Sequence, residues 1–139
     1  MKAISEKINL EKLLAIAKDI IKNSYSPYSH FPVAAVVKTK KGNIYTGVNI
    51  ENASYGLSIC AERVAIFKAV SEGDREIEIL LVYTPTKQHI YPCGACRQVI
   101  LEFNPNALVI IANKDGIFKS ARIKDLLPMS FSKRSLRSL

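Results

Sequence analysis

Cys60-Ala61-Glu62-Arg63 and Pro92-Cys93-Gly94-Ala95-Cys96-Arg97-Gln98 together hold all three cysteines of this 139-residue chain. Cys93 and Cys96 are spaced to present two thiolates on one turn, and Cys60, far upstream, supplies a third. Glu62 follows Cys60 by two residues, so a carboxylate stands beside whatever a metal at this site would hold. Three protein ligands leave a tetrahedral zinc one open position, the catalytic arrangement rather than the closed structural one. Other readings compete. A Cys-x-x-Cys pair alone can be a redox pair or half of a structural zinc knot. A redox pair leaves Cys60 and Glu62 unexplained. A structural zinc would take its fourth ligand from His30 or His89, the two histidines of the chain. Taken by itself, Glu62 is a solvated helix carboxylate.

Both motifs open segments that read as helices. From Cys60 to Val70 the apolar residues Ala61, Val64, Ala65, Phe67, Ala69 and Val70 predict a helix buried on more than one side, stopped by Glu72-Gly73-Asp74. From Cys93 to Phe103, Val99, Ile100 and Phe103 fall on an inward face. Each helix starts at a proposed ligand, so its N-terminal dipole would offset the negative charge of three thiolates on one dication. Arg63 and Arg97 are placed to hydrogen-bond a thiolate from outside the ligand set.

Outward from the motifs the chain alternates. Leu10, Leu13, Leu14, Ala17, Ile20 and Ile21 predict an amphipathic helix to about Asn23, with Asn9 as its N-cap and Ser26-Pro27-Tyr28-Ser29 as the turn beyond it. Val33–Thr39 and Ile44–Ile50 read as a hairpin around Lys41-Gly42-Asn43. Glu51 to Ser58 is a polar loop. Ile77–Tyr83 and Ala107–Ala112 are nearly continuous apolar strands, as interior sheet positions are. Ile117–Ser120 adds a short strand, and Ile123–Leu127 a helical turn closed by Pro128. The order α-β-β-α-β-α-β-β predicts one α/β domain over residues 1–139, with helices covering a mixed sheet.

The bulk composition narrows the class further. A chain of this length buries roughly 68% of its unfolded surface without help from disulfides. Three cysteines, an odd number, argue against a secreted disulfide framework. No run reaches the ~18 apolar residues of a membrane span. Met1 to Lys7 leads into an amphipathic segment rather than the apolar core of a signal peptide. A reducing cytoplasm is therefore expected. The net charge of +8 is spread along the chain, which reads as a solubilising surface, and nucleic acid is not expected as a partner. The densest run, Lys133-Arg134-Ser135-Leu136-Arg137, falls in the tail of about residues 129–139, where a mobile end is expected.

The two motifs resemble the signature of zinc nucleoside and nucleobase deaminases. The resemblance extends over nearly the whole chain to the small homotetrameric cytidine deaminases. Ser26-Pro27-Tyr28-Ser29-His30-Phe31-Pro32-Val33 is similar to that family's substrate motifs, as is Gly47-Val48-Asn49-Ile50-Glu51-Asn52-Ala53-Ser54-Tyr55-Gly56-Leu57. The resemblance implies a three-layer α/β/α fold with a five-stranded mixed sheet. It implies Zn²⁺ on Cys60, Cys93 and Cys96, with Glu62 as proton shuttle while zinc-bound hydroxide attacks C4 of cytidine or deoxycytidine. It places Phe31 near the pyrimidine, Asn49 and Glu51 on the ribose, and Ala61 on the base through its backbone. Ala53 joins this substrate set. Tyr55 and Phe131 would reach into a neighbouring subunit's site. Two departures accompany the match: Val33-Ala34-Ala35, where a glycine often follows the valine, and Tyr91 before Pro92, where a small residue is common. A blasticidin-type deaminase is the nearest rival, and Ala95, where that relative tends to carry a larger basic residue, speaks against it.

Overall fold

A computed structural model describes residues 9–137. The expectation for Met1 to Lys7 lies outside them, as do the last two residues of the tail. Helix α1 (Leu10–Ile20) is followed by a 3₁₀ turn over Ile21–Asn23. Strands β1 (Ala34–Thr39) and β2 (Ile44–Val48) form the expected hairpin, and α2 (Ala61–Ser71) follows. Then come β3 (Ile77–Tyr83), α3 (Gly94–Phe103), β4 (Leu108–Ala112) and β5 (Phe118–Arg122). Two short helices, α4 (Ile123–Leu126) and α5 (Lys133–Arg137), end the described chain.

The five strands are ordered β2-β1-β3-β4-β5. β3 and β4 are parallel and every other neighbouring pair is antiparallel, so the sheet is mixed. A parallel pair needs a crossover, and α3 supplies it. Side chains alternate between the two faces of each strand. On one face Ala34, Val36, Ile79, Leu81 and Ile110 meet Leu10, Leu13, Leu14 and Ala17 of α1. On the other Ala35, Val37, Leu80, Val82 and Val109 meet α2 and α3 through Ala65, Ile66, Ala69 and Ile100. This is the α/β/α layering expected from the sequence. Each Leu or Ile removed from water in these two clusters contributes about 1.5–3 kcal/mol.

The Asn9 side chain caps α1, accepting from the Lys12 amide at 3.3 Å. Gly73, at φ +83°, lets the chain turn after α2. One expectation is corrected. Helix α2 is buried along one stripe, Ala61, Glu62, Ala65, Ile66 and Ala69, rather than on several sides, and Phe67 is 44% exposed. Its apolar residues outnumber the positions that face the sheet. In the tail, Lys133–Arg137 is helical and the Ser135 hydroxyl accepts from the Ser132 amide at its start.

Candidate active site

Because α2 and α3 pack on the same sheet face, their N-termini come together. Cys60 and Cys93 are the N-cap residues, in extended backbone conformation, and neither side chain caps its own helix. Serine or aspartate commonly fills such a position. Here sulfur fills it twice. Cys96 lies on the first turn of α3 and is fully buried. The Sγ atoms of Cys60 and Cys93 are 3.8 Å apart, those of Cys93 and Cys96 3.6 Å. All three lie within 4.8 Å of one another. A tetrahedral zinc with bonds of about 2.3 Å to sulfur sets its thiolates about 3.8 Å apart. The donor set therefore fits zinc. Among the described residues this cluster contains only the cysteines. His89 contacts the Ile117 carbonyl oxygen through Nε2 at 2.9 Å. Three ligands leave the fourth position open.

Charge in the cluster is unevenly held. The Cys60 thiol is pulled down to about 5, chiefly by the hydrogen bond from Cys96 and also by Arg63. Cys96 is pushed strongly up, first by that same bond to Cys60 and then by burial. Zinc binds thiolates, so loading this site releases protons. An Arg63 amino nitrogen stands 3.5 Å from Cys60 Sγ, and this contact holds the guanidinium more firmly charged. Arg97 acts on the backbone instead. Its Nε donates to the Pro92 carbonyl at 2.7 Å and its Nη1 to the Leu126 carbonyl at 2.8 Å, which secures the approach to Cys93.

A cavity of about 330 Å³ opens in front of the sulfurs, a size usual for small-molecule sites. Cys60, Ala61, Glu62 and Cys93 form one side of it, and Phe31, Asn49 and Glu51 belong to its walls. Glu62 is 5% exposed, and burial pushes its carboxyl up to about 7. A carboxyl held there exchanges protons readily in both directions near neutral pH.

Asn49 and Glu51 are heavily committed within the chain. Asn49 Oδ1 accepts from the Val33 amide at 2.9 Å and the Ser24 hydroxyl at 2.5 Å, and Nδ2 donates to the Phe31 carbonyl at 2.8 Å. Glu51 accepts from the amides of Tyr28 and Ser29 at 3.0 and 3.1 Å and from the Ser29 hydroxyl. These bonds hold its carboxyl below the usual range, the Ser29 hydroxyl foremost. Ser24 and Ser29 had no assigned role in the sequence reading. The polarity of the turn around Pro27 was a visible signal for both, and Ser29 also falls in the stretch that resembles the family's substrate motif. Tyr91 belongs to the cavity wall too, so this departure from the family pattern reaches the site.

Three assigned residues do not meet the cavity. Tyr55 borders an adjoining recess with Tyr28, its ring centroid 5.8 Å from that of Tyr28, and is 74% exposed. Ala53 is exposed in the same loop. Phe131 is 62% exposed on the C-terminal segment, where its carbonyl accepts from Gln98 Nε2 at 2.8 Å.

Comparison with known proteins agrees with this geometry. Residues 7–112 match the model of the cytidine and deoxycytidylate deaminase zinc-binding region. A cytidine deaminase of Sporosarcina psychrophila is 45% identical over 93% of this chain and 96% of its own length. One from Halalkalibacterium halodurans is 46% identical over 78% and 83%. The solved cytidine deaminase of Burkholderia pseudomallei superposes with a TM-score of 0.83 at 42% identity, covering 87% of this chain and 98% of that one. A blasticidin-S deaminase of Bacillus cereus is more distant, at 30% identity. Fold, thiolate cluster and sequence define a zinc-binding deaminase, and the chain belongs to the cytidine deaminase family. It is a zinc-binding hydrolase.

Proposed function

We propose that this site converts cytidine and deoxycytidine to uridine and deoxyuridine, with Glu62 as the proton carrier. The observation that carries the reading is the shared cavity. The buried Glu62 carboxyl and two sulfurs of the three-cysteine cluster, Cys60 and Cys93, line one cavity, while the other carboxylate of its wall, Glu51, is committed to hydrogen bonds with Tyr28 and Ser29. Zinc on Cys60, Cys93 and Cys96 would supply a Lewis acid that lowers the pKa of water toward about 7. Glu62 takes a proton from the water that adds to C4 and gives it to N3. Glu62 then takes the proton of the new C4 hydroxyl and gives it to the amino nitrogen, so that C4=O forms as the C4–N bond breaks and ammonia leaves. One carboxyl serves as base and then acid. Phe31 stacks against the pyrimidine, and the Ala61 backbone orients it.

Asn49 retains one N–H beyond its internal bonds, and Glu51 one acceptor site, and these face the sugar. The short loops around the cavity leave little surface for a polynucleotide strand. We place the enzyme in the cytoplasm, where three zinc-binding thiols stay reduced. A homotetramer with shared sites accounts for Tyr55 and Phe131, whose exposed rings lie outside their own chain's cavity. An ultraviolet assay on free cytidine tests the reaction. Cytidine absorption is lost with release of one ammonia, stops when a chelator removes the zinc, and returns with added zinc. An inert protein carrying one zinc per chain would overturn the reading.

A further inference from the structure

Gly47 lies near the end of β2, outside the cavity, yet it touches the helix that carries Cys60 and Glu62. A Cβ atom built on Gly47 would stand 2.4 Å from the Ala61 carbonyl oxygen and 2.6 Å from the Ala65 amide nitrogen. These are the acceptor and donor positions of one turn of α2. The Val64 Cβ lies 3.0 Å away. Two of the three contacts are backbone, so no side chain can swing aside to make room. Ala61 and Ala65 are themselves fully buried. The first turn of α2 therefore rests directly on the backbone of β2. Ala61 stands between Cys60, whose sulfur must meet Cys93 on a different helix, and Glu62, whose carboxyl must meet the substrate.

We infer that Gly47 is a positioning residue for the metal ligand and the proton carrier: its missing side chain sets how closely α2 approaches the sheet, and so fixes Cys60 and Glu62 against Cys93. Any side chain at Gly47 displaces that turn by about 0.6 Å or more before atoms reach an allowed separation, comparable with the ~0.5 Å tolerance of a catalytic constellation. Misplacement of about 1 Å costs roughly 100-fold in rate. The part of this inference that concerns rate rests on Glu62 as the proton carrier. The part that concerns zinc does not.

The experiment compares Gly47→Ala with Leu13→Ala, a truncation in α1 on the opposite sheet face that lowers stability without touching α2. For each, kcat, KM, zinc affinity by chelator competition and urea stability are measured, along with the visible spectrum of the cobalt-substituted protein. Gly47→Ala is expected to lower kcat about 10–100-fold with KM within about threefold. Zinc affinity is expected to fall about 10–100-fold, with altered cobalt–thiolate bands. Leu13→Ala is expected to lose stability and keep kcat, zinc affinity and the cobalt spectrum. If Gly47→Ala does not fold, Ala65→Val widens the same seam from the helix side, with the same changes expected. A folded variant at either position with wild-type kcat and zinc affinity overturns the inference. So does Leu13→Ala showing equal losses at equal stability. Weakened zinc binding with unchanged kcat at saturating zinc would overturn Gly47 as the support of Glu62, whereas turnover of Glu62→Gln, measured beside it, tests the carrier itself.

Discussion

Replacing Asn49 with alanine separates two roles that one side chain can have. A residue that only contacts the ribose would, when truncated, raise KM and leave the fold alone. In this structure the amide closes three internal hydrogen bonds, from Val33 N, from Ser24 Oγ and to Phe31 O. Asn49 is 9% exposed. Truncation strands a backbone amide and a backbone carbonyl, each costing about 1–3 kcal/mol when left unpaired. Phe31 is 36% exposed, so water recovers part of the loss on that side. The expected cost is about 2–4 kcal/mol. Urea unfolding of zinc-loaded protein at fixed chain concentration reads this as a midpoint lower by about 1–2 M at unchanged slope. Asn49→Asp keeps the two accepted bonds and turns the third into a repulsion between two oxygens, so it should also destabilise. A stability change under 0.5 kcal/mol in the alanine variant, with KM alone affected, would refute the reasoning.

Other outcomes follow from the same structure. Asp74 Oδ2 accepts from Thr39, Asn43 and Tyr45 at 2.7, 2.9 and 3.1 Å, and these bonds, Asn43's first, hold the carboxyl below its usual range. A depressed carboxyl stabilises the fold above its unfolded pKa of about 4 and loses that contribution as pH falls through the folded value. Wild type should therefore lose urea stability relative to Asp74→Asn as pH drops below about 4, and parallel curves would count against this network. A chain ending after Phe131 should deaminate cytidine like the full chain, because the tail's ion pair Lys133–Glu102, at 3.8 Å, is exposed on both sides. A tenfold loss in the same assay would show that the tail matters. Refolding Glu62→Ala together with Phe131→Ala at equal amounts should restore activity in about a quarter of the sites if each site draws on two chains. Activity no higher than the mean of the separate variants would reject shared sites.

The sequence was most readable where a local rule dominates. Ile77–Tyr83 was bounded to the residue because an apolar run between charged and turn residues leaves no other register. The metal site was readable because Cys60 with Glu62, and Cys93 with Cys96, together resemble a zinc signature that neither pair carries alone. Burial on α2 was misjudged because helical periodicity cannot tell a face that meets a sheet from one that meets nothing. The bonds of Ser24 to Asn49, 25 residues on, and of Thr39 to Asp74, 35 residues on, carry no local pattern. Gly47 was visible as a glycine inside a strand and as the start of a motif, but what it supports exists only once β2 and α2 pack.

The most direct test is turnover of Glu62→Gln at one zinc per chain. Glutamine keeps the shape of the side chain and cannot carry a proton. Zinc content should remain that of wild type, because the three thiolates are untouched, while kcat on cytidine falls at least about 1,000-fold. A variant that retains its zinc and turns over cytidine within tenfold of wild type would contradict Glu62 as the proton carrier.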